Sequence, residues 1–124
     1  MNLKMKTLII GASENPERYA NKAALSLRKH GHAIVQVGLK EGIVAGEKIL
    51  TSKPDLKDAG IDTVTLYVSP KNQPEWYDYI LDLKPRRIIF NPGTENPEFE
   101  EMAHQKGIQP LEACTLVMLA TNQF

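Results

Sequence analysis

Apolar residues occur along this chain in short unbroken runs, separated by stretches in which they recur at helical spacing. Thr7 to Ile10 is a β-branched and apolar run closed by the small-residue turn Gly11-Ala12-Ser13, which is the pattern of a buried strand ending in a tight turn. Ala20, Ala23, Ala24 and Leu27 then fall at i, i+3, i+4 and i+7, giving one apolar helix face. Asn15-Pro16 has the form of an N-cap followed by proline at the first helical position, and Gly31 closes the helix as a C′ glycine. Ala33 to Val37 is a second strand, reached through a whole helix and therefore able to lie parallel to the first.

The region from Gly38 to Ile61 carries no clear period. It reads as an irregular crossover with room for a short extended pair near Gly42 to Leu50 and at most a turn or two of helix around Leu56. Thr63 to Val68 is the third strand of this pattern, stopped by Ser69-Pro70, and Trp76, Tyr79, Ile80 and Leu83 repeat the helical spacing. Arg87 to Phe90 is the fourth strand, ending at Asn91-Pro92-Gly93. Thr94-Glu95-Asn96-Pro97 then offers a second N-cap with proline at N1, for a helix that buries Phe99, Met102 and Ala103 and stops at Gly107. A fifth strand over Ile108 to Glu112 leads to a last short helix from Cys114 towards Thr121.

Strands alternating with helices at this spacing predict an α/β, doubly wound parallel sheet of about five strands, covered on both faces to give three layers. Ligands of such sheets bind beyond the C-terminal ends of the strands. Gly11 to Asn15, Gly38 to Lys40, Ser69-Pro70 and Asn91 to Asn96 are all expected at that edge. A small-residue turn leading into a helix lets backbone come close to a ligand and turns amide groups towards it, which favours a phosphate or pyrophosphate.

Composition narrows the field. The 124 residues are expected to form a single domain, 1–124, burying roughly two thirds of the unfolded surface. Fifteen Lys+Arg balance fifteen Asp+Glu, so no net field draws the chain to nucleic acid or an anionic membrane, and an anion site must be local. One cysteine excludes an internal disulfide, MNLKMK is not followed by the apolar run of a signal peptide, and no apolar stretch nears the ~20 residues of a membrane span. A cytoplasmic protein is expected.

The dinucleotide fingerprint GxGxxG is absent, since Gly11-Ala12-Ser13-Glu14-Asn15-Pro16 keeps only its first glycine, and no GxxxxGK[ST] occurs. Where NAD-binding folds place an acid after strand two, this chain reads Gly38-Leu39-Lys40. Lys40 suits a phosphate on the ribose, as in coenzyme A (3′) or NADP (2′); a solvated loop lysine is its plainer role.

GASENPERYANKA, HGHAIVQVGLK, and NPGTENPEFEEMAHQKGI followed by EACTLVMLATNQF together resemble the small stand-alone CoA-binding proteins that look like the N-terminal CoA-binding domain of succinyl-CoA synthetase alpha subunits. The resemblance covers nearly the whole chain. It implies a Rossmann-like fold with strand order 3-2-1-4-5 and a site for coenzyme A or an acyl-CoA. Carried over position by position, it places Gly11, Ala12, Ser13 and Arg18 near the pyrophosphate, with Lys22 contributing from the first helix. It places Lys40 at the 3′-phosphate and Val68, Ser69 and Pro70 along the adenosine or pantetheine path. Family members often carry proline before the lysine, where this chain has Leu39.

Candidates for chemistry are few. Cys114 opens the last helix, where a thiol could act as nucleophile or redox partner of CoA, although cysteine is also among the most buried residue types. Glu95 and Glu112 are candidate acids or bases near a thioester. His30, His32 and His104 are not placed to carry a phosphoryl group as the larger synthetases do. Two functions follow: a module that binds CoA or acyl-CoA without turnover, or a small oxidoreductase or transferase using NADP or CoA. The missing fingerprint and the lack of a catalytic set favour the first, with a small-molecule CoA ligand as the expected partner and no protein partner indicated.

Overall fold

The unbroken apolar runs become strands because each is buried on both sides. The computed structural model describes residues 5–124. Its elements are β1 (Lys6–Ala12), α1 (Tyr19–Lys29), β2 (Ala33–Gly38), β3 (Gly42–Val44), β4 (Glu47–Leu50), β5 (Ile61–Leu66), α2 (Tyr77–Leu83), β6 (Arg87–Phe90), α3 (Pro97–Gln105), β7 (Gln109–Glu112) and α4 (Thr115–Ala120). One sheet holds all seven strands in the order β3-β4-β2-β1-β5-β6-β7, and every pairing is parallel except β3 with β4.

Successive residues of a strand face opposite layers. Leu8 and Ile10 of β1 join Val64, Leu66, Ile88 and Phe90 under α2 and α3, whose Ile80, Leu81, Phe99 and Ala103 complete that core. Ile9, one residue between, packs on the other face with Ala20, Ala24 and Leu27 of α1 and Leu119 of α4. The molecule is thus a three-layer, Rossmann-like α/β fold. Phe99 meets Phe90 edge-on at 5.7 Å and stacks on Tyr77 at 4.5 Å, so truncating this fully buried ring would cost about 3–5 kcal/mol.

Several expectations are corrected. The helix after Gly11 starts at Tyr19, not at Asn15-Pro16; Asn15 instead closes a local turn, its Oδ1 accepting the Glu17 amide at 2.9 Å and its carbonyl the Arg18 amide at 3.0 Å. Around Leu56 the link from β4 to β5 makes a single turn, closed by the Ala59 amide on the Leu56 carbonyl at 3.0 Å and within the limit expected there, and Leu56 and Ala59 are pressed onto the core. The extended pair expected near Gly42 to Leu50 is present, as an antiparallel hairpin, β3–β4, turning at Ala45 and Gly46, both at positive φ. Buried Gln36 of β2 fastens it, donating to the carbonyls of Val44 (3.1 Å) and Glu47 (3.0 Å). Because β4 pairs parallel with β2, it is the third parallel strand, and the parallel strands run 3-2-1-4-5-6. The strand counted third in sequence, here β5 and ending at Leu66 rather than Val68, is the fourth and lies on the far side of β1.

Candidate functional site

The turn after β1 is built for close approach. The β1–β2 register slips between Ile10 and Ala12, and Gly11 between them has φ +96°. A Cβ on Gly11 would stand 2.9 Å from the Tyr67 carbonyl oxygen, so only glycine lets β1 pass the segment after β5. Asn21, buried in α1, donates through Nδ2 to the Ser13 carbonyl at 2.9 Å, and Ser13 Oγ accepts the Asn15 amide at 3.0 Å. The turn is therefore held from behind by the helix it leads into. Helix α1 begins after Arg18 with no side-chain cap and no acidic residue in its first turn, which leaves its positive end available to an external anion.

The opposite wall comes from the segments after β5 and β6. Gln73, fully buried between two short 3-10 turns, donates through Nε2 to the carbonyls of Val68 (3.0 Å) and Thr94 (2.8 Å) and accepts from Asn96 Nδ2 (2.9 Å). Asn96 is also the N-cap of α3, taking the Phe99 amide on its Oδ1. One glutamine thus ties both loops together.

Beneath this wall a polar seam runs under α4. Asn91 Nδ2 donates to Thr65 Oγ1 (2.6 Å) and to the Leu66 carbonyl, Asn91 Oδ1 accepts the Thr115 amide (2.9 Å), and the Thr65 and Thr115 hydroxyls lie 2.8 Å apart. Tyr67 reaches the cleft from here. Burial pushes its phenol up to about 12, against the Thr115 and Thr65 hydroxyls that pull it down, so it stays protonated.

These segments enclose a cleft of about 910 Å³, a volume fit for a cofactor-sized ligand. Seven of the nine residues singled out from the sequence line it: Gly11, Ala12, Ser13, Arg18, Lys40, Val68 and Ser69. Lys22 and Pro70 do not. Lys22 Nζ instead lies over the Tyr19 ring at 5.5 Å, and Pro70 begins a 3-10 turn beside Ser69. Glu14, Tyr67, Asn72 and Thr94 line the cleft without having been singled out, and Asn21 and Gln73 shape it from behind.

The chemical candidates lie elsewhere: Cys114 precedes α4, and neither it nor Glu95 nor Glu112 lines the cleft. Glu95 Oε1 accepts the Gly93 amide at 2.9 Å. Exposed Glu112 sits beside Glu100, whose hydrogen bond and charge raise its carboxyl above the usual range. His32 stands just before β2, at the opposite edge of the sheet, with its ring edge-on to Phe124. An open hollow of about 680 Å³ also lies at that edge, where Arg86 is already paired with Asp62 at 2.9 and 3.0 Å. No helix among the described residues is long and apolar enough to cross a membrane.

A family model described as a CoA binding domain matches residues 5–120. The chain belongs to the CoA-binding domain family. Among solved structures, a protein described as uncharacterized shares 51% identity over 99% of this chain and 100% of its own, with a TM-score of 0.92. A hypothetical protein from Pyrococcus horikoshii OT3 shares 29% identity over 94% of this chain and 82% of its own, with a TM-score of 0.83. A protein from Thermus thermophilus shares 26% identity over 96% of this chain and 90% of its own, with a TM-score of 0.81. No curated protein matches. For a CoA-binding domain, the cleft described above lies where the fold expects its ligand, beyond the C-terminal ends of the parallel strands.

Proposed function

We propose that this protein is a binding module that holds coenzyme A or an acyl-CoA across the C-terminal edge of the sheet without turning it over. The observation that carries this reading is the convergence of the Gly11–Ser13 turn, Arg18 and Lys40 on one cleft, in a chain whose family is defined by CoA binding. Gly11, Ala12 and Ser13 receive the pyrophosphate on backbone, Arg18 neutralises part of its charge, and Lys40 meets the 3′-phosphate. Val68 and Ser69, with the neutral Tyr67, line the path of the remaining ligand. Lys22 and Pro70 are left out of this contact set because they do not line the cleft. Catalysis has no residues assigned to it here, and the protein is read as cytoplasmic.

Titration calorimetry with coenzyme A, acetyl-CoA and NADPH tests the reading. A dissociation constant on the order of micromolar is expected for the CoA ligands, with NADPH much weaker. Clear binding of NADPH without binding of coenzyme A would replace this function with the oxidoreductase alternative. Native mass spectrometry of the purified protein adds an independent check, because a retained adduct identifies itself by mass.

A further inference from the structure

Glu14 is a carboxylate in a cleft read above as an anion site, and its position explains why it is tolerated there. Its Oε2 accepts the Ile43 amide at 2.7 Å, a short bond to a charged acceptor that commits the carboxylate to the backbone. Its side chain also lies against Gly42, where an added Cβ would fall 2.3 Å from Glu14 Cδ. Four residues earlier the same chain segment is pinned again: a Cβ on Gly38 would fall 2.3 Å from the Ala12 carbonyl oxygen. Leu39, Lys40 and Glu41 thus form a strap anchored at both ends to the turn Ala12–Glu14. Nothing anchors its middle, because Leu39 is 98% exposed and Lys40 and Glu41 are exposed as well.

We propose that Glu14 is a positioning residue that sets the preference for a ribose-phosphate ligand, by latching the Lys40 strap onto the turn that receives the pyrophosphate. The proposal rests on the CoA reading above. A lysine on a free loop loses much of its interaction to the entropy of ordering the stem and its backbone, whereas a strap fixed at both ends has lost that freedom before the ligand arrives. Glu14 therefore acts on the ligand through Lys40.

The test compares coenzyme A with dephospho-CoA on wild type, Glu14→Ala, Glu14→Gln and Gly42→Ala, with exchange of the Ile43 amide followed in the free proteins. Glu14→Ala is expected to reduce the preference for the 3′-phosphate about tenfold, the scale of a lost charge-assisted contact, and to speed Ile43 exchange. Glu14→Gln, which keeps an acceptor oxygen, retains most of the preference. Gly42→Ala displaces the Glu14 side chain and reproduces the loss. In a Lys40→Ala background, Glu14→Ala removes no further preference. Equal weakening of both ligands, or tighter binding once the negative charge is gone, would overturn the proposal. If wild type binds neither ligand, the CoA reading fails by itself; the latch then fails too if Ile43 exchange is unchanged in Glu14→Ala, and survives as a structural device if exchange rises.

Discussion

Gly11 and Tyr67 meet backbone to backbone, so closely that a single added carbon on Gly11 would lie 2.9 Å from the Tyr67 carbonyl oxygen and 3.2 Å from its Cβ. The contact joins the turn after β1 to the segment leaving β5, the two neighbours at the centre of the sheet. It brings both walls of the cleft together at one point. Any side chain at Gly11 must push them apart while also holding φ at +96°.

Gly11→Ala is therefore expected to destabilise the protein by about 2–3 kcal/mol, combining backbone strain with the steric contact, and Gly11→Val by more because its branched side chain is stiffer. Urea denaturation measures the loss. Binding of coenzyme A should disappear in both, and a folded Gly11→Val protein with wild-type affinity would move the site elsewhere.

Gln73 gives a second prediction. It is fully buried and satisfies two backbone carbonyls, of Val68 and Thr94, on separate loops. Gln73→Leu keeps roughly the volume but orphans both acceptors and leaves Asn96 Nδ2 with the Tyr77 hydroxyl alone, at a cost of about 2–4 kcal/mol. Because those loops form one wall of the cleft, ligand affinity should fall along with the denaturation midpoint. An unchanged midpoint would mean that water replaces the amide at no cost.

The fold was legible wherever burial imposed a period. β6 has the limits the sequence predicts, Arg87 to Phe90, because every residue in it is buried and turn-formers bound it. Ala20, Ala23, Ala24 and Leu27 all face the core as their spacing requires. Asn15-Pro16 misled because asparagine before proline also closes a local turn, and which one forms depends on Asn21 holding Ser13 from a helix that has not yet begun. The hairpin β3–β4 was only partly visible. Its turn, Ala45-Gly46, lacks the asparagine or aspartate that marks a two-residue hairpin, and it is held by Gln36 through contacts eight and eleven residues away.

The candidate site shows the same limit. Gly11 was legible because a glycine ending a strand needs no partner to be noticed, and Lys40 because it stands where an acid is usual. Gln73, Asn21 and Glu14 were not. Each acts by a hydrogen bond to a backbone atom at a distance of eight to twenty-nine residues, and backbone atoms leave no mark on the sequence. Lys22 stands on α1 with its Nζ 5.5 Å over the ring of Tyr19, and Tyr19 lines the cleft.

A third prediction concerns pH. Burial, then the neighbouring positive charges of His30 and Arg87, hold the His32 imidazole below its usual value of 6.5, while Phe124 packs against its ring. The unfolded chain takes up this proton near pH 6.5 and the folded chain only below it. The associated stability is therefore complete above pH 6.5 and is lost as the pH falls through the folded value. His32→Phe keeps an aromatic partner for Phe124 and removes the titration. Urea midpoints at pH 7.5 and 5.5 should fall further apart in wild type than in the variant, and equal differences would assign the acid sensitivity to other groups.

The last prediction separates ligands through Lys40. It is exposed and lines the cleft on the strap after β2, on the side of the sheet edge where a ribose substituent would lie if the pyrophosphate meets the Gly11 turn. A well-formed lysine–phosphate contact is worth about 1.5–3 kcal/mol, so Lys40→Ala should weaken coenzyme A roughly tenfold or more. Dephospho-CoA lacks the group that Lys40 is proposed to read, and should bind wild type and variant nearly alike. Deleting the lysine and deleting the phosphate remove one interaction from its two ends, so in the four affinities their costs overlap instead of adding. Salt gives an internal control, because an exposed charge pair weakens as screening rises, and the difference between the two ligands should shrink in wild type while staying small in the variant. Additive losses would show that Lys40 does not face the 3′-phosphate. The base after β2 would then cease to distinguish a CoA ligand from a dinucleotide, leaving that choice to the family and to the calorimetry with NADPH.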